Sequence, residues 1–296
     1  MGDSYERMVQ HNWRLTNVSA LQTIEGKGNR SIRVFAAAEG IFALKTFDPA
    51  LPEERIADYT GALVYLQDQE PGISPKLVST AAAGTYIRHE HQYMYLMEYI
   101  QGRQLEETEE DEYKLGRAAA SLHRLRGCPV RANLDVQERI ADMCGRFHGY
   151  PFKSEYDRII RSLPDFDALP QSFIHTDIGP HNAMMSAEGK VVFIDLDDAG
   201  EGSTVIDAGY PLIAQFVRFD PITGKIRFNA ALARAFYAGY FSIQPVSGVY
   251  KEQLFDGAVF MQLMYMPCYG ESGIIPMWEL LAYAIRNRDA MLETIG

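Results

Sequence analysis

Between Phe173 and Asp198 the chain reads FIHTDIGPHNAMMSAEGKVVFIDLDD, and this stretch constrains the fold more than any other. Ala183–Ser186 is a short apolar run, Ala187-Glu188-Gly189 supplies a turn with a glycine, and residues 190–194 are mainly β-branched and aromatic, the pattern of a β-hairpin. Asn182 stands just before the first strand and Asp195 just after the second. Paired strands lie about 5 Å apart, so closing the hairpin predicts an amide and a carboxylate at the same open end, near enough to share one cation. Asp177 lies five residues before Asn182, in a loop with Gly179 and Pro180, and adds a carboxylate beside that cation. With His175, four polar residues fall within 21 positions. A surface hairpin with polar ends is the ordinary alternative. A calcium loop starting at Asp195, Asp197 and Gly200 fails, because Ala199 and Ile206 occupy two ligand positions. The chain has no Gly-x-Ser-x-Gly nucleophile elbow and no Walker phosphate loop.

Composition narrows the classes. At 296 residues, 47% apolar and 23% charged, the chain has ample material for a core in one large or two smaller domains. No apolar run approaches the roughly 20 residues that span a bilayer, and MGDSYERMVQ has no signal-peptide core, so no membrane association is expected. Cys128, Cys144 and Cys268 are odd in number and widely spaced, which argues against a disulfide framework or a zinc site. All three read as buried small hydrophobes in a cytoplasmic protein. A net charge of −11 argues against nucleic acid as a partner and suits a cationic substrate.

Upstream, residues 13–47 read as three strands, WRLTNVSALQTI, SIRVFAAA and GIFALKTF, with the loop EGKGNR after the first. Gly26 and Gly28 allow backbone amides to approach a phosphate, or simply make a hairpin turn. Lys45 lies in the third strand, where a solvent-facing lysine is the ordinary reading and its truncation is expected to leave stability nearly unchanged. PEERIADYTGALVYLQDQ is a helix with Ile56, Tyr59, Leu63 and Leu66 on one face. YMYLMEYIQGRQL is an apolar strand running into a glycine break. From there the chain is helical. Thr108 to Asp111 form a capping box, and the charges from Glu106 to Glu112 read as a solvated face. Leu115, Ala118, Ala119, Leu122 and Leu125 make a buried stripe, and helices follow at VQERIADMCGRF, SEYDRIIRSL and VIDAGYPLIAQFV. Three more are expected around 227–241, 250–266 and 277–295.

The pattern His175-x-Asp177-x-x-x-x-Asn182, a strand pair and then Asp195 resembles the catalytic loop and metal-binding Asp of protein-kinase-like phosphotransferases. It is most similar to the aminoglycoside phosphotransferase and choline kinase branch, in which a bulky residue follows the metal Asp, as in Ile194-Asp195-Leu196. The resemblance covers about residues 14 to 220. It implies a two-lobed α+β fold, with a small sheet-rich ATP-binding lobe at 1–100, a hinge at 97–101, a larger helical lobe at 101–296, and ATP between the lobes. It implies that Asp177 orients or deprotonates the acceptor hydroxyl and that His175 supports the loop. Asn182 and Asp195 would hold magnesium, while Lys45, Gly26 and Gly28 would meet the phosphates. Met97 would be the gatekeeper, with Glu98 and Ile100 offering backbone groups to adenine, and Asp207 would brace the catalytic loop.

The chain departs from the family in two places. The glycine loop lacks its third glycine, and the helix position expected to carry the glutamate partner of Lys45 is Gly61. Glu53, Glu54 and Asp58 come early in that helix, so the partner stays open. The implied activity is transfer of the γ-phosphate of ATP to a hydroxyl of a small molecule. A protein Ser/Thr kinase is the lesser alternative, since no Ala-Pro-Glu motif or activation segment separates Asp195 from Asp207. An idle nucleotide-binding module is the other. The resembled fold would border the acceptor with the last helices, which offer Tyr265, Tyr269, Trp278, Asp220, Glu271 and Glu279 to a polar or cationic compound.

Overall fold

In the computed structural model, which describes residues 2–25, 31–220, 222–244 and 247–296, the chain opens with a helix where no element was expected. This helix, α1 (Gly2–Trp13), places Met8, Val9 and Trp13 in a core cluster with Phe35, Phe42, Leu44, Met94 and Leu96. The strand expected from Trp13 onward is therefore corrected: Trp13 ends the helix, Arg14 and Asn17 take positive φ, and β1 (Ser19–Glu25) starts later. β2 (Ser31–Ala37) and β3 (Gly40–Thr46) follow, then α2 (Glu53–Gln69), β4 (Leu77–Val78), β5 (Ile87–His89) and β6 (Gln92–Glu98). These strands form one antiparallel sheet in the order β1-β2-β3-β6-β4, with β5 also paired to β6. α2 buries the predicted Ile56, Tyr59, Leu63 and Leu66.

The remaining elements are β7 (Gly102–Gln104), α3 (Glu109–Leu122), α4 (Val136–Cys144), α5 (Lys153–Ser162), β8 (Gln171–Ile174), β9 (Ala183–Ser186), β10 (Val191–Phe193), β11 (Gly200–Ser203) and α6 (Thr204–Ala214). After them come β12 (Val217–Phe219), β13 (Ile226–Phe228), α7 (Ala230–Phe241), α8 (Gly248–Tyr265), α9 (Gly270–Arg286) and α10 (Arg288–Thr294). The β12–β13 hairpin replaces the start of the helix expected at 227, and Asn229 caps α7 by accepting from the Leu232 amide (3.3 Å). α9 begins seven residues before the expected 277 and carries Pro276 inside it. Among the described residues, no helix is long and apolar enough to cross a membrane.

The chain divides into two compact units, Met1–Arg103 with Met184–Asp197, and Gln104–Ala183 with Asp198–Gly296. Residues 184–197, which carry most of the predicted hairpin, thus group with the N-terminal strands, whereas the reading from sequence divided the chain once, near residue 100. β9, β10 and β7 form a three-stranded sheet in the order β10-β9-β7.

Within the second unit, two helix pairs touch backbone to backbone. A Cβ on Gly209 of α6 would lie 2.1 Å from the Leu254 carbonyl oxygen of α8, and one on Gly257 of α8 would lie 2.2 Å from that of Val205 in α6. Gly116 and Gly239 do the same for α3 and α7, at 1.9 Å from Phe236 O and 2.1 Å from Tyr113 O. No side chain larger than hydrogen fits at these four places without parting the helices.

The acidic start of α3 also differs from expectation. Thr108 accepts from the Asp111 amide (3.2 Å), as the capping box predicts, while Asp111 accepts from the Glu106 amide (2.8 Å), two residues before the cap. Glu106, Glu107, Glu109 and Glu110 are exposed, as a solvated face requires, but Asp111 and Glu112 are only 2% and 0% exposed, on the side of the first turn of α3 that faces the core. Burial first, then the negative charges of Glu107 and Asp111, push the Glu112 carboxyl up to about 8, against the opposing effects of Gln215 and Arg218. Gln215 Nε2 donates to Glu112 Oε1, while Glu112 Oε2 and Gln215 Oε1 have no partner. Burial thus favours the neutral acid, which carries a hydroxyl donor that the carboxylate lacks. The cysteines differ too: Cys128 is buried, but Cys144 and Cys268 are exposed.

Two outcomes are expected. Gly257→Ala forces α6 from α8 and destabilises the protein by about 1–3 kcal/mol, read as a lower urea midpoint; an unchanged midpoint contradicts the close approach. The folded-state pKa of Glu112 is raised, so its contribution is fully present below the ordinary carboxyl pKa and is lost as pH rises toward about 8. Melting temperatures followed across that window should fall more steeply for the wild type than for Glu112→Gln, whose amide mimics the neutral acid. Parallel curves for the two would contradict it.

Candidate active site

β8 pairs antiparallel with β11, Gly200 opposite Ile174, and delivers the chain directly into His175, Thr176 and Asp177. The loop backbone is gripped from below. Asp207, fully buried in the first turn of α6, accepts the amides of His175 (2.6 Å) and Thr176 (2.8 Å), and His123 Nε2 lies 3.0 Å from the same carboxylate. With the His123 proton on Nε2, the tautomer a carboxylate selects, Nδ1 accepts from the Tyr240 hydroxyl at 2.9 Å. Thr176 holds a positive φ of 77°, a conformation costly for a β-branched residue unless its surroundings enforce it. Asp207 thus both braces the loop and stands at a helix N-terminus. His175 is 1% exposed and inside this packing.

Asp177 emerges from the clamp partly exposed, its side chain 37% accessible. Its Oδ2 accepts from Asn182 Nδ2 (2.7 Å) and lies 3.3 Å from His181 Nε2, while Asn182 Nδ2 also donates to the Asp177 carbonyl (3.0 Å). The Tyr210 side chain also neighbours Asp177. Burial raises the Asp177 carboxyl, but the neighbouring His181 and Tyr210 side chains outweigh it and hold the group below the ordinary carboxylate value. The carboxylate is therefore ionised at neutral pH. Asn182 is 8% exposed, and its amide nitrogen is committed to Asp177, which leaves the carbonyl oxygen as its ligand atom. A hard oxygen of that kind fits magnesium.

Beside Asp177 stands an aromatic group only partly foreseen. The Tyr210 and Tyr265 rings lie 5.8 Å apart at 57°, and Tyr269 is 56% exposed nearby on the short turn before α9. Burial and then the charge of Asp177 raise the phenols of both Tyr210 and Tyr265, with Tyr269 adding to the former and Asp198 to the latter, so these rings share space with carboxylates. Tyr265 and Tyr269 were expected here; Tyr210 was not, because within VIDAGYPLIAQFV it reads as one more apolar-face residue. Two of the other expected acceptor residues, Trp278 and Asp220, are corrected. Trp278 is 9% exposed and stacks on Phe152 at 4.5 Å, a core role. Asp220 accepts from the Thr223 amide (2.7 Å) and pairs with Arg227 (3.0 Å), stabilising its own turn. Glu271 and Glu279 are exposed on α9.

In the first unit, β3 places Lys45 opposite Ile32 of β2 and Tyr95 of β6, so the lysine is interior rather than on the surface. It is 6% exposed, and its Nζ donates to Asp195 Oδ1 (2.8 Å) and Asp197 Oδ1 (2.6 Å). Burial opposes its charge, but Tyr95, Asp197 and Asp195 together raise its pKa above the ordinary value, keeping it cationic. The partner left open is therefore a carboxylate that follows β10, not one from α2. Glu53 instead accepts from the Tyr86 (3.0 Å) and Tyr93 (3.3 Å) hydroxyls, and Asp58 lies near Arg55. Asp195 sits at a positive φ of 57° with its side chain 57% exposed, whereas Asp197 is 5% exposed. Met97, paired with Ala43 and Leu77, lies between two strands. The amides of Glu98 and Tyr99 are committed to the Lys76 (2.8 Å) and Ile41 (2.9 Å) carbonyls. Gly26 and Gly28 lie outside the described residues.

A family model described as the phosphotransferase enzyme family (APH) matches residues 21–246. The chain belongs to this family. No curated protein matches it. Among solved structures, this phosphotransferase is similar to a microcompartment-associated aminopropanol kinase (16% identity, TM-score 0.70, 98% of each chain covered). It is also similar to an amicoumacin kinase in complex with AMP-PNP and Ca²⁺ (12% identity, TM-score 0.67, 98% of this chain and 93% of that one). A choline kinase from Streptococcus pneumoniae matches at 16% identity and TM-score 0.60, over 99% of this chain and 98% of that one. The fold of the phosphotransferase is thus the two-lobed, protein-kinase-like α+β fold, with an antiparallel sheet in the N-terminal region and helices in the C-terminal one.

Lys45 carries a consequence for stability. Because it neutralises a 5% exposed carboxylate, Lys45→Ala should cost about 3–5 kcal/mol rather than behave as a surface change. Denaturant unfolding reads this directly, and a wild-type midpoint would return Lys45 to the surface class.

Proposed function

We propose that this phosphotransferase moves the γ-phosphate of ATP to a hydroxyl of a small polar or cationic compound, with Asp177 as the group that orients and accepts the hydroxyl proton. One observation carries the reading most: Asp177, the predicted base, and Asn182, the predicted metal ligand, are joined by a 2.7 Å hydrogen bond on a loop whose amides are held by buried Asp207. Phosphoryl transfer proceeds through a loose transition state, so it asks for positioning and charge neutralisation more than for covalent chemistry. An ionised, fixed carboxylate meets the first demand.

Lys45 serves the second, as a cation held in place by Asp195 and Asp197 before any nucleotide arrives. Asn182 and Asp195 present oxygen donors suited to magnesium, which when bound would neutralise the phosphates. For adenine, the amides of Glu98 and Tyr99 are already committed, so among the hinge positions the contact falls to Ile100. His175 is assigned the support of the loop it sits in. The idle-module alternative drew on the missing helix glutamate, and Asp197 offers Lys45 a buried carboxylate in its place. A cationic acceptor is favoured by Tyr210, Tyr265 and Tyr269 beside the carboxylates of Asp177 and Asp198, since aromatic faces and negative charge attract ammonium groups.

A nucleotide-consumption screen of the purified protein against amino alcohols, aminoglycosides and neutral polyols, with magnesium present, tests this. Turnover is expected with amine-bearing alcohols. On the best acceptor, Asp177→Asn should lose about 10²–10⁴ in kcat with ATP affinity largely kept. Asp195→Ala should lose the magnesium-dependent part of ATP affinity by calorimetry. Near-normal turnover of Asp177→Asn, or labelling of proteins with no small acceptor present, would sink the assignment.

A further inference from the structure

Gly179 and His181 flank Pro180 in the loop between Asp177 and Asn182, and their geometry is linked. Gly179 has φ −174° and ψ 167°, an extended backbone that any residue adopts, so no dihedral requires a glycine there. Space does. A Cβ on Gly179 would lie 2.5 Å from His181 Cε1 and 2.7 Å from its Nδ1, so the imidazole rests where another residue would carry its side chain. From that place its Nε2 lies 3.3 Å from Asp177 Oδ2. Two hydrogen bonds hold the turn: the Asn182 amide donates to the Gly179 carbonyl (3.0 Å), and Gln104 Nε2 donates to the His181 carbonyl (3.3 Å).

We propose, on the reading of Asp177 as the acceptor's base, that His181 is its positioning residue: the imidazole N–H fixes the carboxylate so that Oδ1 receives the acceptor's proton. With its proton on Nε2, the tautomer a carboxylate selects, His181 donates to Oδ2. Asn182 Nδ2 donates to the same oxygen at 2.7 Å. Two donors on Oδ2 set the rotamer of the side chain and turn its other oxygen away from them. Asn182 alone has two tasks, holding Asp177 and offering its own oxygen to a cation, and His181 keeps Oδ2 in place while the second is done. In the transfer, the acceptor oxygen bonds to the γ-phosphorus as that phosphorus parts from ADP, and the hydroxyl proton passes to Asp177 Oδ1. His181 forms no bond to phosphorus and takes no proton from the acceptor. Its side chain is 57% exposed, so its loss removes little packing.

His181→Ala tests this on the acceptor found by screening. kcat should fall about 10- to 100-fold, the scale of a small misplacement of a reacting group, with KM for ATP and the melting temperature near wild type. His181→Gln, which keeps a neutral N–H donor at similar reach, should recover most of that loss. Gly179→Ala should reproduce the loss with the imidazole still in the chain, because the new methyl takes the place of the ring. In an Asp177→Asn background, His181→Ala should cost little more, since the residue acts through the one already changed. Wild-type kcat for His181→Ala or Gly179→Ala overturns the proposal. So do equal losses in both backgrounds, a glutamine variant no better than alanine, or a melting temperature low enough to account for the lost activity. Near-normal turnover of Asp177→Asn, or a wild type that phosphorylates no hydroxyl compound, sinks the base reading first and this proposal with it. A crippled Asp177→Asn beside a fully active His181→Ala sinks the proposal alone.

Discussion

The second unit is arranged around one buried carboxylate holding two consecutive backbone amides. Asp207 takes the His175 and Thr176 N–H groups at 2.6 and 2.8 Å with no solvent to compete, and charge-assisted bonds of this length in a buried site are among the strongest that backbone can make. They let Thr176 keep a left-handed conformation that would otherwise relax. Because the bonds fix backbone rather than a side chain, everything attached to the loop inherits its place, Asp177 first of all. The His123–Tyr240 pair extends the network into α3 and α7. A buried charge with a single partner would be expensive, but one with three donors is satisfied.

The first unit follows the same logic with opposite sign. There a buried cation, Lys45, is held by two carboxylates from the segment after β10, one nearly buried and one more than half exposed. The exposed one, Asp195, remains accessible to solutes, while Asp197 keeps the lysine in place. This division buries one acid with the lysine and leaves the other open to solvent. It also accounts for α2, whose Glu53 need not reach Lys45 and instead accepts from the Tyr86 and Tyr93 hydroxyls.

Glycine does the remaining work of placement. α6 can carry Asp207 to the loop because Gly209 and Gly257 let it lie on α8 at backbone contact distance. Any side chain at those points would displace the helix by more than a hydrogen bond tolerates. The helix that positions the loop is therefore located by residues that have no functional groups.

The reading from sequence was most successful where a feature is decided within a few residues. The hairpin of β9 and β10, with Asn182 before it and Asp195 after it, follows from strand propensity around a glycine turn, and the stripes of α2 and the cap of α3 follow from local periodicity. The resemblance to the phosphotransferase family was likewise carried by residues close in sequence, His175–Asn182 and Asp195, and the family model bears it out. What the letters left open were partnerships made at a distance. Lys45 meets acids 150 and 152 residues away. Tyr210 looks like an apolar-face residue until α6 is seated. Glu112, one of a run of acids that elsewhere would face water, is buried against Gln215 103 residues further along. α1 was missed because its apolar residues are too few to mark a helix by themselves, and it finds its stability in packing against β2, β3 and β6. Local physics decides which elements form and what they carry. Only the close packing of elements far apart in the chain decides which charges are buried, and so which side chains are held ready.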